Sequence, residues 1–226
     1  MLDLLLELFS EEIPARMQAR AADDLARLLA EALALLAPVA VQTFHGPRRI
    51  ALAAAVREEV AARSSSERGP RVSAPEGALA GFLRKHGATR DQVARDGEHW
   101  VLALQTPATP AADLIAAALP GLLRRFPWPK SMRWGDGSAF TWVRPLRRVL
   151  CVLDGQIVPF TLAEGLDDGH GLLSGNETEG HRFHAPGAFA VASLAEWQDG
   201  LRVKSILDSD RLRPRGTGAA LTYADG

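Results

Sequence analysis

The order of apolar and polar positions divides the chain into strands and helices of ordinary length. Residues 2–9 are almost continuously apolar, which predicts a strand buried on both faces. Ser10, Glu11, Glu12 and Pro14 then mark a helix start, with the two acids near the positive end of its dipole. Leu25, Leu28, Leu29, Leu33 and Leu36 recur at helical spacing, with Arg16, Arg20, Asp24, Arg27 and Glu31 mostly between them. This predicts an amphipathic helix over about 15–36, ended by Pro38. Residues 39–44 and 50–60 read as a hairpin, whose His45-Gly46-Pro47 turn carries Arg48 and Arg49 near the tip.

The polar stretch 61–75, bounded by glycine and prolines, reads as a loop. A short helix over 76–86 is closed by Gly87, and 89–95 begins a further turn. Residues 99–105 form a strand after the Asp96-Gly97 turn. A helix follows from Thr109 or Pro110 to about Phe126, with Pro120 kinking or dividing it. Residues 149–153 and 157–162 pair across Asp154-Gly155. A glycine-rich, acidic loop spans 163–180, a helix spans 188–197, and 201–207 is apolar and partly β-branched. Beyond Pro214 no periodicity remains, so 214–226 is expected to be a disordered tail. The alternation predicts a mixed α/β (α+β) fold of layered sheet and helix over 1–213, with two interleaved subdomains at about 1–125 and 126–213.

Between the last two predicted layers lies the most distinctive chemistry. Residues 127–148 gather Lys130, Arg133, Arg144, Arg147 and Arg148 with Trp128, Trp134 and Trp142, against the single acid Asp136. Pro127, Pro129, Gly135, Gly137 and Pro145 break the segment into short pieces, which excludes one amphipathic helix. Cations for phosphates and flat rings for stacking suit a nucleic-acid surface. The same residues equally suit core tryptophans covered by solvated arginines.

Composition narrows the choice. The 226 residues carry a net charge of −1, so any nucleic-acid contact is a local patch rather than a polycation. Glu7, Glu11, Glu12, Asp167, Asp168, Glu177 and Glu179 supply compensating acid. The single cysteine, Cys151, sits in an apolar run and reads as a buried core residue rather than a nucleophile. The first residues lack the basic region of a signal peptide and the length of a membrane span, so a cytoplasmic location and no membrane partner are expected.

His181 and His184 could bind a metal or act as acid and base, but no third ligand stands at motif spacing. In a strand their offset would put them on opposite faces. No phosphate loop, dinucleotide fingerprint or catalytic triad motif is present. From the residues alone the chain is a binding domain with a basic patch and no visible active site.

Six segments in order then resemble one family, the β-subunit of bacterial heterotetrameric glycyl-tRNA synthetase. They are Leu4-Leu5-Leu6-Glu7-Leu8-Phe9-Ser10-Glu11-Glu12-Ile13-Pro14, Gly46-Pro47-Arg48-Arg49-Ile50-Ala51-Leu52, and Arg68-Gly69-Pro70 with the short helix after it. Pro129-Lys130-Ser131-Met132-Arg133-Trp134-Gly135 follows, then Phe140 with Arg144-Pro145, and Gly180-His181-Arg182-Phe183. The resemblance covers residues 2–184, and the sequence after Arg213 departs from it.

The resemblance implies an α2β2 glycine–tRNA ligase. Its α-subunit would hold the aminoacylation site and use ATP with magnesium, while this chain carries no cofactor. It further implies a domain like the editing-type domain of the phenylalanyl-tRNA synthetase β-chain. Expected partners are the α-subunit and tRNA(Gly), with no DNA. Arg48, Arg49, Lys130, Arg133, Arg144 and Arg182, as motif positions, are the expected RNA-binding residues, with no catalytic or metal-binding residue. The competing readings are a hydrolytic editing domain with His181 or His184 as base, and a structural scaffold for the α-subunit.

Overall fold

In the computed structural model, which describes residues 1–204 and 219–220, the apolar run at the start is the centre of a sheet. The elements along the chain begin with strand β1 (Leu2–Ser10), helix α1 (Ala15–Ala32), and strands β2 (Val39–Gly46) and β3 (Arg49–Val56). Next come strands β4 (Glu59–Val60) and β5 (Arg63–Arg71), helix α2 (Glu76–His86), and strands β6 (Val93–Asp96), β7 (His99–Thr106) and β8 (Thr109–Pro110). Helix α3 (Ala111–Arg124) leads to β9 (Leu146–Leu153), β10 (Gln156–Ile157), β11 (Ser174–Gly175), β12 (Glu177–Glu179) and β13 (Ala188–Ala190). Helix α4 (Leu194–Val203) and the two-residue strand β14 (Ala219–Ala220) complete the order. Apart from β14, which lies parallel to Phe44–His45, the expected tail over 214–226 falls outside the described residues. Among the described residues no helix is long and apolar enough to cross a membrane.

The mixed sheet-and-helix class is as expected. The chain divides into one unit of residues 1–58 with 110–226, and a second of 59–109. This replaces the expected division near residue 125, and strand pairing gives the reason. β1 lies between β3 and β9, with Leu6 opposite both Leu52 and Cys151, so a cut at 125 would run through the middle of one sheet.

In the first unit the main path runs β10-β9-β1-β3-β2-β14. Leu4, Leu5, Leu6 and Leu8 are all buried, as a strand covered on both faces requires. One face carries a cluster of Leu5, Phe44, Ala51, Ala53, Leu150 and Val152 with Trp197 and Leu201 of α4. Helix α1 packs on β2, β3 and α3, burying Ala21, Ala22, Leu25 and Leu29. It ends at Ala32, earlier than its pattern suggested, and a 3-10 turn over Ala34–Leu36 finishes the descent to β2. Pro120 lies inside α3 without dividing it. The Asp154-Gly155 turn is formed with positive φ at both residues, but its second strand stops at Ile157.

The second unit is a three-stranded sheet, β5-β7-β6, with α2 against β5. The expected loop over 61–75 is largely strand β5, paired from Arg63 opposite Thr106 to Arg71 opposite His99. Its exposed, polar residues gave no alternation, because the ladder and not a buried face holds it. Gly87 closes α2 in the left-handed conformation. In the first unit, 188–197 is not one helix: β13 pairs with β12, and α4 begins only after Ser193, whose hydroxyl caps it by accepting from the Glu196 N–H.

Candidate functional site

The hairpin tip, the end of β1 and the segment after β12 meet at one end of the central sheet. There they join cations and carboxylates that lie far apart in sequence. Arg49 opens β3 opposite Phe9, and Glu7 lies two residues back on the same face of β1. Their side chains are only 2% and 1% exposed, with Arg49 Nη1 3.0 Å from Glu7 Oε1, close enough for ion pairing though not aligned as a hydrogen bond. Arg49 also donates to Thr178 Oγ1 at 3.2 Å and to the Glu179 carbonyl at 2.7 Å. The other oxygen of Glu7 accepts from Trp197 Nε1 at 2.8 Å. Arg49, one of the expected RNA-binding residues, is therefore a buried tie between β3, β1 and β12.

Around this tie the acids and arginines pair off. Glu11 faces Arg48 at 3.7 Å and Arg147 at 3.1 Å, and Glu12 accepts from Arg182 at 2.8 Å. Arg148 joins Glu177 at 2.8 Å and Glu179 at 3.0 Å. Helix α1 has no acid in its first turn, so Glu11 and Glu12 are ion-pair partners here rather than the dipole partners expected. The Arg48 guanidinium lies over the Phe9 ring, 4.6 Å from its centroid. Sequence reasoning missed Glu7, Thr178 and Trp197. A lone glutamate inside an apolar strand was the one signal that a cation had to be buried beside it.

His181 and His184 fall in a turn, not a strand, closed by the Ala185 N–H donating to the His181 carbonyl at 3.1 Å. Their rings are 4.4 Å apart, correcting the expectation of opposite faces. Gly180 is required just before them: a Cβ there would lie 2.4 Å from the Ala185 carbonyl. His181 Nδ1 accepts from the N–H groups of Phe183 and His184, at 3.2 and 3.1 Å. The neutral ring then keeps its proton on Nε2, and partial burial, reinforced by His184, lowers its pKa below the usual histidine value. A neutral imidazole holding its proton on Nε2 is a donor there, which does not suit a general base. Among the described residues no group of three His, Cys, Asp or Glu is arranged for a metal ion.

Lys130, Arg133 and Arg144 are exposed and, among the described residues, have no carboxylate within ion-pair distance. Arg144 donates to the Val143 carbonyl beside it, at 2.9 Å. A bridge between Met132 and Trp142 draws the two halves of the basic segment together, with N–H···O distances of 2.8 and 3.2 Å. The tryptophans are held by other rings rather than by arginines. Trp142 is buried against Phe126, Trp128 and Phe140, and Trp134 stacks on His170 at 4.1 Å. The six expected cations thus divide: Arg49 is buried, Arg48 and Arg182 are ion-paired, and Lys130, Arg133 and Arg144 stand open.

Comparison with known proteins fits this arrangement of motifs. A family model described as Glycyl-tRNA synthetase beta subunit matches residues 4–217. The match ends four residues past Arg213, beyond which the sequence was expected to depart from the family. The glycine–tRNA ligase beta subunit of Phenylobacterium zucineum is 48% identical over 97% of this chain and 32% of its own length. That of Paracoccus denitrificans is 44% identical over 99% of this chain and 34% of its own, and that of Cereibacter sphaeroides 44% identical over 87% and 29%. The chain spans about a third of the length of these curated relatives. With the matched region taking in nearly every element described above, the chain belongs to the glycyl-tRNA synthetase beta subunit family.

Proposed function

We propose that the chain is an N-terminal portion of the β-subunit of a cytoplasmic α2β2 glycine–tRNA ligase, contributing tRNA binding and subunit assembly rather than chemistry. In this reading the α-subunit holds the aminoacylation site and its ATP and magnesium. The fold is of the kind found in the editing-type domain of the phenylalanyl β-chain, used here without hydrolysis. The observation that carries the tRNA assignment is the set of open cations, Lys130, Arg133 and Arg144, on a segment already rich in aromatic rings. Each phosphate contact by such a group releases condensed counterions, so affinity falls with salt by a slope of roughly −0.7 to −0.9 per contact. The test is tRNA(Gly) binding by the chain at several salt concentrations, with Arg144→Gln alongside. The variant should weaken binding and lower the slope by about one contact's worth. A folded variant with the parent's affinity and slope removes Arg144 from the interface.

The ion-paired end of the sheet favours a structural reading for Arg48, Arg49 and Arg182, which hold the chain's own strands and turn together. An editing hydrolase is the weaker alternative, given the tautomer that the turn imposes on His181. Deacylation of mischarged tRNA by the chain alone would restore it.

A further inference from the structure

The first turns of α1 and the segment 126–129 enclose a cleft of ≈250 Å3 that none of the arginine–glutamate ties uses. Its walls are Arg16, Arg20 and Asp24 from α1, facing Phe126 and Trp128. The two sides differ in chemistry. On the helix side, Arg16 is exposed and has no carboxylate within ion-pair distance among the described residues, and Arg20 is held only loosely by Asp24, at 3.7 Å. On the other side Trp128 stands edge-on to Trp142 with ring centroids 5.1 Å apart and 5.0 Å from Phe126, so its ring is fixed by aromatic packing. Its indole N–H is buried, yet has no acceptor among the described residues.

We propose that this cleft binds one unstacked base of single-stranded RNA, with the adjoining phosphate on Arg16 and Arg20. The inference rests on the tRNA reading above and adds to it a particular receptor with different residues. A fixed aromatic ring offers a stacking surface that any base can use. Asp24 is the nearby acceptor for an exocyclic amine, its charge already answered by Arg27 at 3.3 Å and by Arg20. The volume lies below the range of roughly 300–1,000 Å3 typical of drug-sized ligands, which suits a single flat group and excludes a duplex. Lys130, one residue beyond Pro129 at the rim, would continue the phosphate path toward the open cations already described.

The experiment is an anisotropy titration of the 226-residue chain with a labelled single-stranded RNA hexamer, its blunt duplex, and tRNA(Gly), at several salt concentrations. The hexamer should bind more tightly than the duplex. Arg16→Gln, on an exposed helical position, should reduce the hexamer's salt slope by about 0.7. Trp128→Ala should weaken the hexamer by about 5- to 150-fold. Should that variant fail to melt cooperatively, Trp128→Phe keeps an aromatic ring with a smaller stacking face, and should cost about two- to tenfold. If the parent binds tRNA with a steep salt slope but the Arg16 and Trp128 variants match it, the cleft proposal falls while the tRNA reading stands. Equal binding of hexamer and duplex, both weakened by Arg16→Gln, overturns the base pocket in favour of a plain phosphate surface. No binding of any RNA overturns the cleft and the tRNA reading together.

Discussion

Replacing Arg49 by Met should be among the most damaging single changes in the chain, and the structure gives its size. The guanidinium is the counter-charge of a carboxylate that is itself buried, so the substitution leaves Glu7 charged and uncompensated. Breaking one partner of such a pair costs about 3–5 kcal/mol. It also strips the Thr178 hydroxyl and the Glu179 carbonyl of the donors they hold at 3.2 and 2.7 Å. At about 2–4 °C per kcal/mol for a chain of this size, the melting temperature should fall by about 6–20 °C. Glu7→Leu should be comparably harmful, since it strands Arg49 and frees the Trp197 N–H. The double variant removes both charges, so its cost should fall short of the sum by roughly 2–3 kcal/mol. Thermal and urea melts of the four proteins, followed by circular dichroism, measure the cycle. Additivity within about 0.5 kcal/mol would show that the two side chains do not act as a pair, and the account of the sheet end would be wrong.

Two other outcomes can be checked more simply. Asp167 accepts from Ser138 Oγ at 2.6 Å, the Gly169 and Ala139 N–H groups at 2.9 Å each, and Arg124 at 3.2 Å. These bonds, Ser138's first, hold its carboxyl well below the usual range. Its contribution is therefore complete above an unfolded-chain pKa of about 3.9 and lost as pH falls through the lower folded value. Asp167→Asn should flatten the stability profile below about pH 4, and an unchanged acid transition would contradict the assignment. Burial pushes the Cys151 thiol up to about 12, so thiol reagents should label it slowly in the native chain and rapidly in denaturant. Rapid native labelling would mean that β9 is not in the core.

What the sequence revealed follows from where its information is local. Residues 2–9 announce a buried strand because every neighbour in the pattern is apolar, and Gly87 announces a helix end because its conformation is its own. β5 stayed hidden because its order comes from β7, some thirty residues on, and its exposed side chains leave no trace of that partner. The candidate cations show the same limit. Charge is written in the sequence but burial is not, so Arg48 and Arg49, adjacent and alike, could not be told apart. The strand pleat decides between them, turning Arg49 into Glu7 and leaving Arg48 on the ring of Phe9. Lys130, Arg133 and Arg144 were read alongside them as equals, and only the structure shows that, among the described residues, no carboxylate pairs with them.

The central place of β1 has a consequence for synthesis on the ribosome. One neighbour, β3, follows within 56 residues, but the other, β9, begins only at Leu146. At translation rates of about 5–20 residues per second, the intervening 90 or so residues take roughly 5–20 s to make. Throughout that interval β1 offers a bare, leucine-rich edge to any passing strand, the condition under which nascent chains aggregate. The residues emerging meanwhile include 59–109, whose three-stranded sheet pairs only within itself and can close before β9 arrives. Until Leu146 and its successors clear the exit tunnel, that side of β1 has no partner strand of its own.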